Sequence, residues 1–509
     1  MSTPPRTDGR STRTALRNIA ANLGGGLSVG LIGLACTPTL IRMLGVEAYG
    51  LVSIYVMLAS IGGFLDLGLA VTVNRELARL DATTEAQRAR DLVRSLEILY
   101  WLFAMLFGGG VALLAEPMVY HWLTLDRLSP ETVADAVRMM GLALAFQLPA
   151  TFYAGGLLGL ERQVQLNAIT VLATCVRWGG VLASLRLASP TIGTFLGWQI
   201  GVSVLQTAAV AVALLCALPA APARPRFRAD LVRSVGRFAA GMTGIAALSA
   251  GLTQLDKIVL GRTVPLVELG YYALAGSLAL CVSAIVQPVF QALYPRFTQL
   301  VAGGDADGLR FLYHGGTQLV AVLILPVGAV LSLLAPEVLY VWTRDLTTVE
   351  HTAGLLRLLV LGMTLSGLLQ LPYALQLAHG WTGLTLGASL VAVALQAPGL
   401  VVMTNRFGAV GAAWVWLLLN IASIGIAPAI MHRRLLPGEL GRWYVSDLAP
   451  PLLAASAAAG VGRFLIRGPS RGLLTLAASI VGVSLAALLA AAMAAPQVRG
   501  RLARGLSRW

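Results

Sequence analysis

The sequence of 509 residues contains a single lysine, Lys257, and little charge of any kind. Asp, Glu, Lys and Arg together make up 12% of the chain, whereas 57% is hydrophobic and the mean hydropathy is +0.78. A water-soluble protein needs more polar side chains than this to cover its surface. The shortage of charge therefore excludes a soluble globular protein and indicates one embedded in a lipid bilayer.

Cysteine and histidine are also scarce, with four and five residues respectively. The cysteines lie in apolar segments without a CxxC spacing, and no histidine has a second histidine or a glutamate at metal-ligand spacing, so we expect neither disulfides nor a metal site. No GxxxxGK[ST] motif is present, and we predict no nucleotide hydrolysis and no cofactor. The net charge of +14 comes from arginines in loops, which suit lipid headgroups better than nucleic acid.

Apolar runs of about 20 residues recur along the chain, each long enough to cross about 30 Å of hydrocarbon as a helix. They are rich in Leu, Ala, Val and Gly and lack the alternation of barrel strands. We predict an all-α integral membrane protein with about 14 transmembrane helices. The expected spans are 18–41, 49–73, 96–115, 136–158, 164–186, 191–218, 235–261, 268–294, 314–335, 353–377, 381–404, 409–431, 446–466 and 472–494.

Arginines are concentrated in alternate loops, and the positive-inside rule places those loops and both termini in the cytoplasm. Arg463, Arg467 and Arg471 form the one cluster on the opposite side. The N-terminus is polar and basic before a long apolar run, which favours an uncleaved first span over a signal peptide. We expect a multi-pass protein of the bacterial cytoplasmic membrane.

Short segments recur in the same order 220 to 223 positions further along the chain. "AEPMVYHW" at 115–122 matches "APEVLYVW" at 335–342, "QLP" at 147–149 recurs at 370–372, and "LGVEAYGLVSI" at 44–54 resembles "VELGYYALAG" at 267–276. These matches predict a duplicated unit of six spans whose copies are related by an axis along the membrane normal, with a cleft between them. Pro149 and Pro372, at matching places, should loosen their helices.

The repeat gives a domain organisation of two pseudo-symmetric six-helix bundles plus two extra C-terminal helices. The expected parts are a cytoplasmic tail at 1–17, the first bundle at 18–218, a cytoplasmic linker at 219–234, the second bundle at 235–432, and two additional helices with a basic tail at 433–509.

Four segments in this order resemble a known family: "TPTLIRMLGVEAYGL", "FLDLGLAVTVNRELARL", "QLDKIVLG" and "LGYYALAGSLA". They are similar to the polysaccharide-transporter branch of the multidrug/oligosaccharidyl-lipid/polysaccharide (MOP) superfamily, the Wzx-type flippases of O-antigen, capsule and exopolysaccharide repeat units. The likeness covers about the first 435 residues. It implies that the chain moves an undecaprenyl-diphosphate-linked oligosaccharide to the outer leaflet by alternating access of a cleft. Membrane lipids and the polymerase and glycosyltransferases of the pathway are the implied partners, and the Asp256–Lys257 pair stands as the family tends to have it.

Charges inside the membrane cost roughly 2.5–3.5 kcal/mol each and need a compensating contact. Arg177 lies about 13 residues, or roughly 20 Å, into its span and so near mid-membrane. It either pairs with a glutamine or carbonyl between helices or contacts an anion in the cleft. Adjacent helical residues point about 100° apart, so we expect no simple ion pair between Asp256 and Lys257. Lys257 either extends toward headgroups or binds a phosphate reversibly.

Other polar residues have two interpretations each. Arg42, Arg262 and Arg357 either anchor the topology or form an outer cationic rim that receives the diphosphate. Asp66 either pairs with basic loops or, with Asp256, serves ion coupling. The intramembrane amides bind either sugar hydroxyls or neighbouring helices. The candidates are Gln147, Gln254, Gln287 and Gln370.

Three other functions fit part of the pattern. A flippase for lipid II or a teichoic-acid-type precursor shares the fold and the anionic lipid. A cation-coupled multidrug antiporter of the same superfamily would have intramembrane carboxylates and normally twelve spans. A polytopic enzyme would need a large outer loop with catalytic residues, and Asp305 and Asp307 in "GDADG" suit a tight turn better than a glycosyltransferase D-x-D motif. We therefore predict a transporter rather than an enzyme.

Overall fold

The structure is a computed structural model of the chain. It describes residues 9–66, 68–79, 85–381, 383–466 and 472–500, with side chains from 24 onward except 27, 237–247 and 249. Most of the predicted N-terminal tail, the end of the basic C-terminal tail, and Arg467 and Arg471 lie outside the described residues. By its internal contacts the chain consists of two compact units, Met1–Gly270 and Tyr271–Trp509. The boundaries predicted for the two bundles stay a prediction.

The first unit contains ten helices in its described part, a π-helical turn at Met118–Trp122, and the start of an eleventh helix. In chain order they are α1 Gly9–Leu44, α2 Val46–Phe64, α3 Leu69–Arg79, α4 Ala86–Leu113, α5 Ala115–Pro117, α6 Pro130–Gln147, α7 Pro149–Gly159, α8 Gln163–Leu187, α9 Ile192–Ala217, α10 Ala229–Thr263 and α11 Leu266–Ala302.

The second unit begins within α11 and includes a π-helical turn at Trp443–Leu448. Its further helices are α12 Ala306–Leu333, α13 Ala335–Thr343, α14 Leu346–Leu368, α15 Gln370–Ala378, α16 Gly383–Leu435, α17 Leu440–Arg442, α18 Ala449–Leu465 and α19 Leu473–Ala494. The two additional C-terminal helices, α18 and α19, pack against each other and against α12.

Twelve helical segments among the described residues are long and apolar enough to cross a membrane. This confirms the predicted class, an all-α multi-pass membrane protein. Two predicted spans, 381–404 and 409–431, share the 53 residues of α16, which has a non-helical backbone at Gly408 (φ 58°, ψ −142°). The predicted span at 235–261 lies within α10, where part of the side chains is not described. The number fourteen therefore stays a prediction.

Helix breaks follow local side-chain chemistry. The prediction of one continuous helix over 49–73 is wrong, because α2 ends at Phe64 and α3 begins at Leu69. Asp66 lies between them and accepts hydrogen bonds from the N–H groups of Gly68 (2.9 Å) and Ala70 (3.3 Å), which starts a new helix. The breaks expected near Pro149 and Pro372 are confirmed, since α6 gives way to α7 at Leu148 and α14 to α15 at Leu369.

The "GDADG" motif forms the turn at the start of α12. The side chain of Asp305 accepts a hydrogen bond from Gly308 N at 2.8 Å and so caps α12. Asp307 is 95% exposed and pairs with Arg310 at 3.4 Å in the next turn. The two aspartates thus start a helix, as the turn interpretation predicts.

At two backbone crossings of described helices in the first unit, a glycine on each helix lies against the backbone of the other. A Cβ on Gly108 of α4 would overlap the carbonyl oxygen of Gly141 of α6, and a Cβ on Gly141 would overlap that of Gly108. The same reciprocity joins the starts of α2 and α11. There a Cβ on Gly50 would overlap the carbonyl of residue 266, and a Cβ on Gly270 that of residue 46. Small residues allow this close approach of membrane helices.

We expect Gly108→Ala to destabilise the protein by about 1–3 kcal/mol, because the new methyl group must push α4 and α6 apart. Gly110→Ala is the matched control on the same helix, since a Cβ there meets no atom within 4 Å. Thermal unfolding in detergent, followed by tryptophan fluorescence, measures both variants. Equal midpoints for the two would contradict the close crossing.

The linker after α9 is held along the start of α4. The N–H groups of Ala223, Arg226 and Arg228 donate to the side chains of Gln87 (3.1 Å), Asp91 (2.9 Å) and Ser95 (2.8 Å), respectively. These three acceptors are spaced four residues apart and so share one face of α4. The linker backbone is therefore satisfied by hydrogen bonds although it is not helical.

Candidate substrate-binding site

Arg177 of α8 lies in a polar group between apolar helices of the first unit. Its Nη1 donates to Gln199 Oε1, and its Nη2 donates to Gln206 Oε1 at 2.9 Å. Both glutamines belong to α9, and Gln199 is only 5% exposed. The arginine is thus held by neutral amide oxygens of the neighbouring helix.

Tyr55 and Gln147 extend this group to two further helices. Tyr55 of α2 is 5% exposed, and its hydroxyl donates to Gln147 Oε1 at the end of α6. The Tyr55 hydroxyl also interacts with the Arg177 guanidinium. We call Tyr55, Gln147, Arg177, Gln199 and Gln206 the Arg177 cluster. Four helices, α2, α6, α8 and α9, contribute to it.

The Arg177 cluster contains a cation and no anion. None of the ion pairs among the side chains that the structure describes includes Arg177. The predicted pairing with glutamine between helices is therefore present. Amide dipoles orient a guanidinium but leave its full charge uncompensated, and a guanidinium has five N–H donors. The cluster is chemically able to accept an anion.

Lys257 lies in a second polar group, on α10. Its Nζ is 3.3 Å from Gln254 Oε1 and 3.6 Å from Asp256 Oδ1. The expectation that Asp256 and Lys257 would not pair is wrong. The Asp256 carboxylate turns toward the next residue, because it accepts a hydrogen bond from Lys257 N at 2.8 Å. The flexible four-carbon stem of lysine then reaches it.

The loop that includes Trp122 and Thr124 packs against the end of α10 close to Lys257. Trp122 Nε1 donates to the carbonyl of Ile258 at 3.0 Å, and the N–H of Leu266 donates to the carbonyl of Thr124 at 3.0 Å. Glu47, which is 8% exposed, accepts hydrogen bonds from the N–H groups of residues 126, 127 and 128. The loop is therefore fixed on both sides. The Lys257 group lies on a rigid segment.

Two of the remaining cationic candidates lie at helix ends, whereas Arg357, expected close to the end of a span, lies in the middle of α14. Arg42 is in the last turn of α1 and Arg262 in the last turn of α10, and both side chains are exposed. Arg357 of the second unit is also exposed, and its Nε donates to the carbonyl of Ser332 at 3.3 Å. The exposed helix-end positions of Arg42 and Arg262 are compatible with both interpretations, topology anchor and outer rim.

Asp66 caps a helix, and the remaining glutamine candidates lie on three different helices. The Asp66 carboxylate is 7% exposed, and its two oxygens accept from backbone N–H groups, so its observed role is to cap α3. Gln287 is exposed on α11, and Gln370 is half-buried at the start of α15, both in the second unit. Gln254 is buried beside Lys257.

Comparisons with known proteins identify the family. A family model described as "Polysaccharide biosynthesis protein" matches residues 15–301, more than half of the chain. The chain belongs to this family. A protein of Shigella flexneri named as an O-antigen transporter is 20% identical over 405 residues, covering 79% of this chain and 94% of that protein. The resemblance to polysaccharide transporters drawn from the sequence is thereby confirmed.

Solved structures with the same fold are transporters of the MOP superfamily and a lipid flippase. The lipid II flippase MurJ in an inward closed conformation superposes with a TM-score of 0.71 at 11% identity, over 92% of this chain and 97% of that chain. An inward-facing multidrug resistance MATE family transporter of the MOP superfamily gives a TM-score of 0.61 at 13% identity, over 84% and 96%. At these identities the likeness shows the fold.

Sequence reasoning missed three members of the Arg177 cluster in this polysaccharide biosynthesis protein. Gln199 and Gln206 are seven residues apart in an apolar span and therefore lie on one face of α9. That spacing, opposite an intramembrane arginine, was a usable signal. Tyr55 had no comparable signal, because tyrosine is common in apolar helices and its partner Gln147 is 92 positions away.

Proposed function

We propose that the protein is a flippase that moves an undecaprenyl-diphosphate-linked oligosaccharide repeat unit from the inner to the outer leaflet of the cytoplasmic membrane, for O-antigen, capsule or exopolysaccharide synthesis. Alternating access of a cationic central cleft carries the headgroup across. Membership of the polysaccharide biosynthesis protein family and the likeness to an O-antigen transporter support the proposal. The proteins it resembles are transporters and flippases rather than enzymes.

The uncompensated charge of Arg177 is the observation that carries the proposal. A half-buried guanidinium with only amide and hydroxyl partners is stabilised further by any anion that reaches it. Its planar fork of donors matches phosphate oxygens. A diphosphate can replace the glutamine contacts on binding, and the glutamines can take the arginine back on release. Such exchange allows a headgroup to be held and then released.

Lys257 serves as a second cation with a different resting partner. Its Nζ lies near Asp256 and Gln254, and the side chains of Lys257 and Asp256 are 24% and 19% exposed. The distance of 3.6 Å between Lys257 Nζ and Asp256 Oδ1 is longer than a hydrogen bond, so an incoming phosphate can compete with the carboxylate for the ammonium group. Arg42, Arg262 and Arg357 then act as an outer rim for the diphosphate, and Gln147, Gln287 and Gln370 as partners for sugar hydroxyls. Asp66 and Asp256 remain candidates for ion coupling.

A lipid II or teichoic-acid-type flippase is the second candidate. The fold of MurJ favours it, and its substrate carries the same polyprenyl diphosphate chemistry. The MATE fold likewise admits a multidrug antiporter, but a cationic drug would be repelled by Arg177. The first two candidates differ in the sugar and share the diphosphate.

The membrane and pathway follow from the proposed substrate. Lipid-linked repeat units are assembled in the cytoplasm and polymerised outside, so we place the protein in the bacterial cytoplasmic membrane with both termini inside. Glycosyltransferases of the pathway supply the substrate, and a polymerase consumes it.

Reconstitution in proteoliposomes tests the function. We expect the protein to bring a fluorescently labelled polyprenyl-diphosphate oligosaccharide to the outer leaflet, where an added quencher reaches it. The corresponding monophosphate lipid should be moved much more slowly. Lipid II in the same vesicles separates the second candidate from the first. Equal rates for the diphosphate lipid in protein-free vesicles would contradict any flippase function.

A further inference from the structure

The second unit contains a buried ionic group of its own, on α12 and the segment that follows α16. His314 of α12 is 0% exposed, and its two ring nitrogens face two different carboxylates. Nδ1 contacts Asp447 Oδ2, and Nε2 is 3.1 Å from Glu439 Oε2. Asp447 is likewise 0% exposed.

The two contacts of His314 require one more proton than a neutral imidazole and two ionised carboxylates provide. A neutral imidazole has one N–H and one lone pair, whereas an ionised carboxylate only accepts hydrogen bonds. With a neutral His314 and two ionised carboxylates, one of the two contacts would bring a nitrogen lone pair against a carboxylate oxygen. One additional proton, on the imidazole or on a carboxyl group, turns both contacts into hydrogen bonds.

We propose that His314, Asp447 and Glu439 form a proton-binding site, here called the His314 site, that takes up one proton from water beside Glu439. Exposure falls along the three residues, because the side chain of Glu439 is 19% exposed and those of His314 and Asp447 are 0% exposed. The side chains of Arg310 and Arg442 are exposed and lie 3.8 Å from the Glu439 carboxylate, so Glu439 is the solvent-accessible end of the site. The buried end is Asp447.

Four of the elements around the His314 site contribute further polar or charged groups that bear on the proton. Arg310 and Tyr313 come from α12, His432 from α16, Arg442 from α17, and Tyr444 from the second π-helical turn. The rings of Tyr313 and His432 are 5.5 Å apart, and the same distance separates Tyr313 from His314. The two arginines balance the two carboxylates. The proton on the site is therefore an added positive charge, shared by His314 and its two partners.

The His314 site attaches the C-terminal addition to α12. Asp447 stands at the start of α18, and its second oxygen accepts from Gln318 Nε2 at 2.8 Å. Gln318 Oε1 in turn accepts from Gln497 N, just after α19, at 2.9 Å. A chain of hydrogen bonds that begins at His314 thus joins the segments beside both added helices to α12, in addition to their apolar packing. Loss of the proton should loosen that attachment, whatever substrate the protein carries.

Histidine nitrogen NMR of the full-length protein in nanodiscs tests the inference directly. At about pH 7 we expect His314 to give either the signals of a doubly protonated ring or those of a neutral ring with a protonated carboxyl band in infrared spectra. His314→Gln assigns the ring, and Asp447→Asn and Glu439→Gln assign the band. Where one of these variants fails to fold, substitution of the other four histidines assigns His314 by elimination. A neutral His314 ring with no protonated carboxyl band overturns the proposal.

Hydrogen exchange provides a second measurement. We expect amide exchange over 440–465 to rise several-fold in the wild type when the pH is raised from about 6 to about 8, after correction for intrinsic exchange. His314→Gln should remove this dependence, and His351→Gln, an exposed histidine of the same unit, should retain it. Unchanged exchange in the wild type, or the same dependence in both variants, overturns the link between the proton and the added helices.

Discussion

Arg177→Gln should slow flipping about 10- to 100-fold while leaving membrane insertion intact, because hydrogen bonds to a charged group contribute about 1.5–3 kcal/mol each. Glutamine can still exchange hydrogen bonds with Gln199 and Gln206, so the helices keep a polar contact. What it lacks is the positive charge. Arg177→Lys keeps the positive charge but lacks the planar arrangement of N–H donors, so its flipping rate should lie between those of the wild type and Arg177→Gln.

Arg138→Gln is the matched control for this experiment. Arg138 has the same charge, but it is exposed and already paired with Glu116 (2.6 Å) and Asp135 (2.7 Å). The rate of quencher access to labelled lipid in proteoliposomes, normalised to inserted protein, compares the three variants. Wild-type flipping by Arg177→Gln would reduce Arg177 to a helix-pairing residue.

Lys257→Met should lower the flipping rate about tenfold, less than the change at Arg177, because Lys257 is partly exposed and screened by Asp256. Methionine keeps the length and apolar stem of lysine and removes only the charge. The loss should grow as ionic strength falls, since electrostatic attraction between exposed groups is screened by salt.

Asp256→Asn provides the opposite change at the same place. It releases Lys257 from its ion pair, so we expect tighter substrate binding and slower release, visible as a lower KM with a lower kcat. Identical kinetics for Lys257→Met, Asp256→Asn and the wild type would show that this pair has no contact with the headgroup.

The membrane class could be predicted from the sequence because hydropathy over about 20 residues depends little on tertiary detail. The breaks near Pro149 and Pro372 were also predictable, since proline removes a helix donor. The break at Asp66 was not, because one carboxylate bonding to the following N–H groups interrupts an otherwise apolar run. Hydropathy does not register such a bond.

The site was predictable in its cations and not in their partners. The depth of Arg177 follows from counting along its span, whereas the side chains that face it depend on helix rotation. Helix geometry predicted that Asp256 and Lys257 would not pair, but their flexible side chains bring the charged groups within 3.6 Å of each other. The His314 site joins residues 125 and 133 positions apart, and no local spacing points to it.

The crossing of α2 and α11 has a consequence for which residues the chain can carry at two matching positions. Its two contacts mirror each other: Gly50 lies against residue 266 and Gly270 against residue 46, so the crossing has a local twofold axis at an offset of 220 positions. At both places only a hydrogen atom fits between the backbones. A side chain larger than hydrogen at either glycine would therefore overlap the main chain of the partner helix, so both positions of this crossing require glycine.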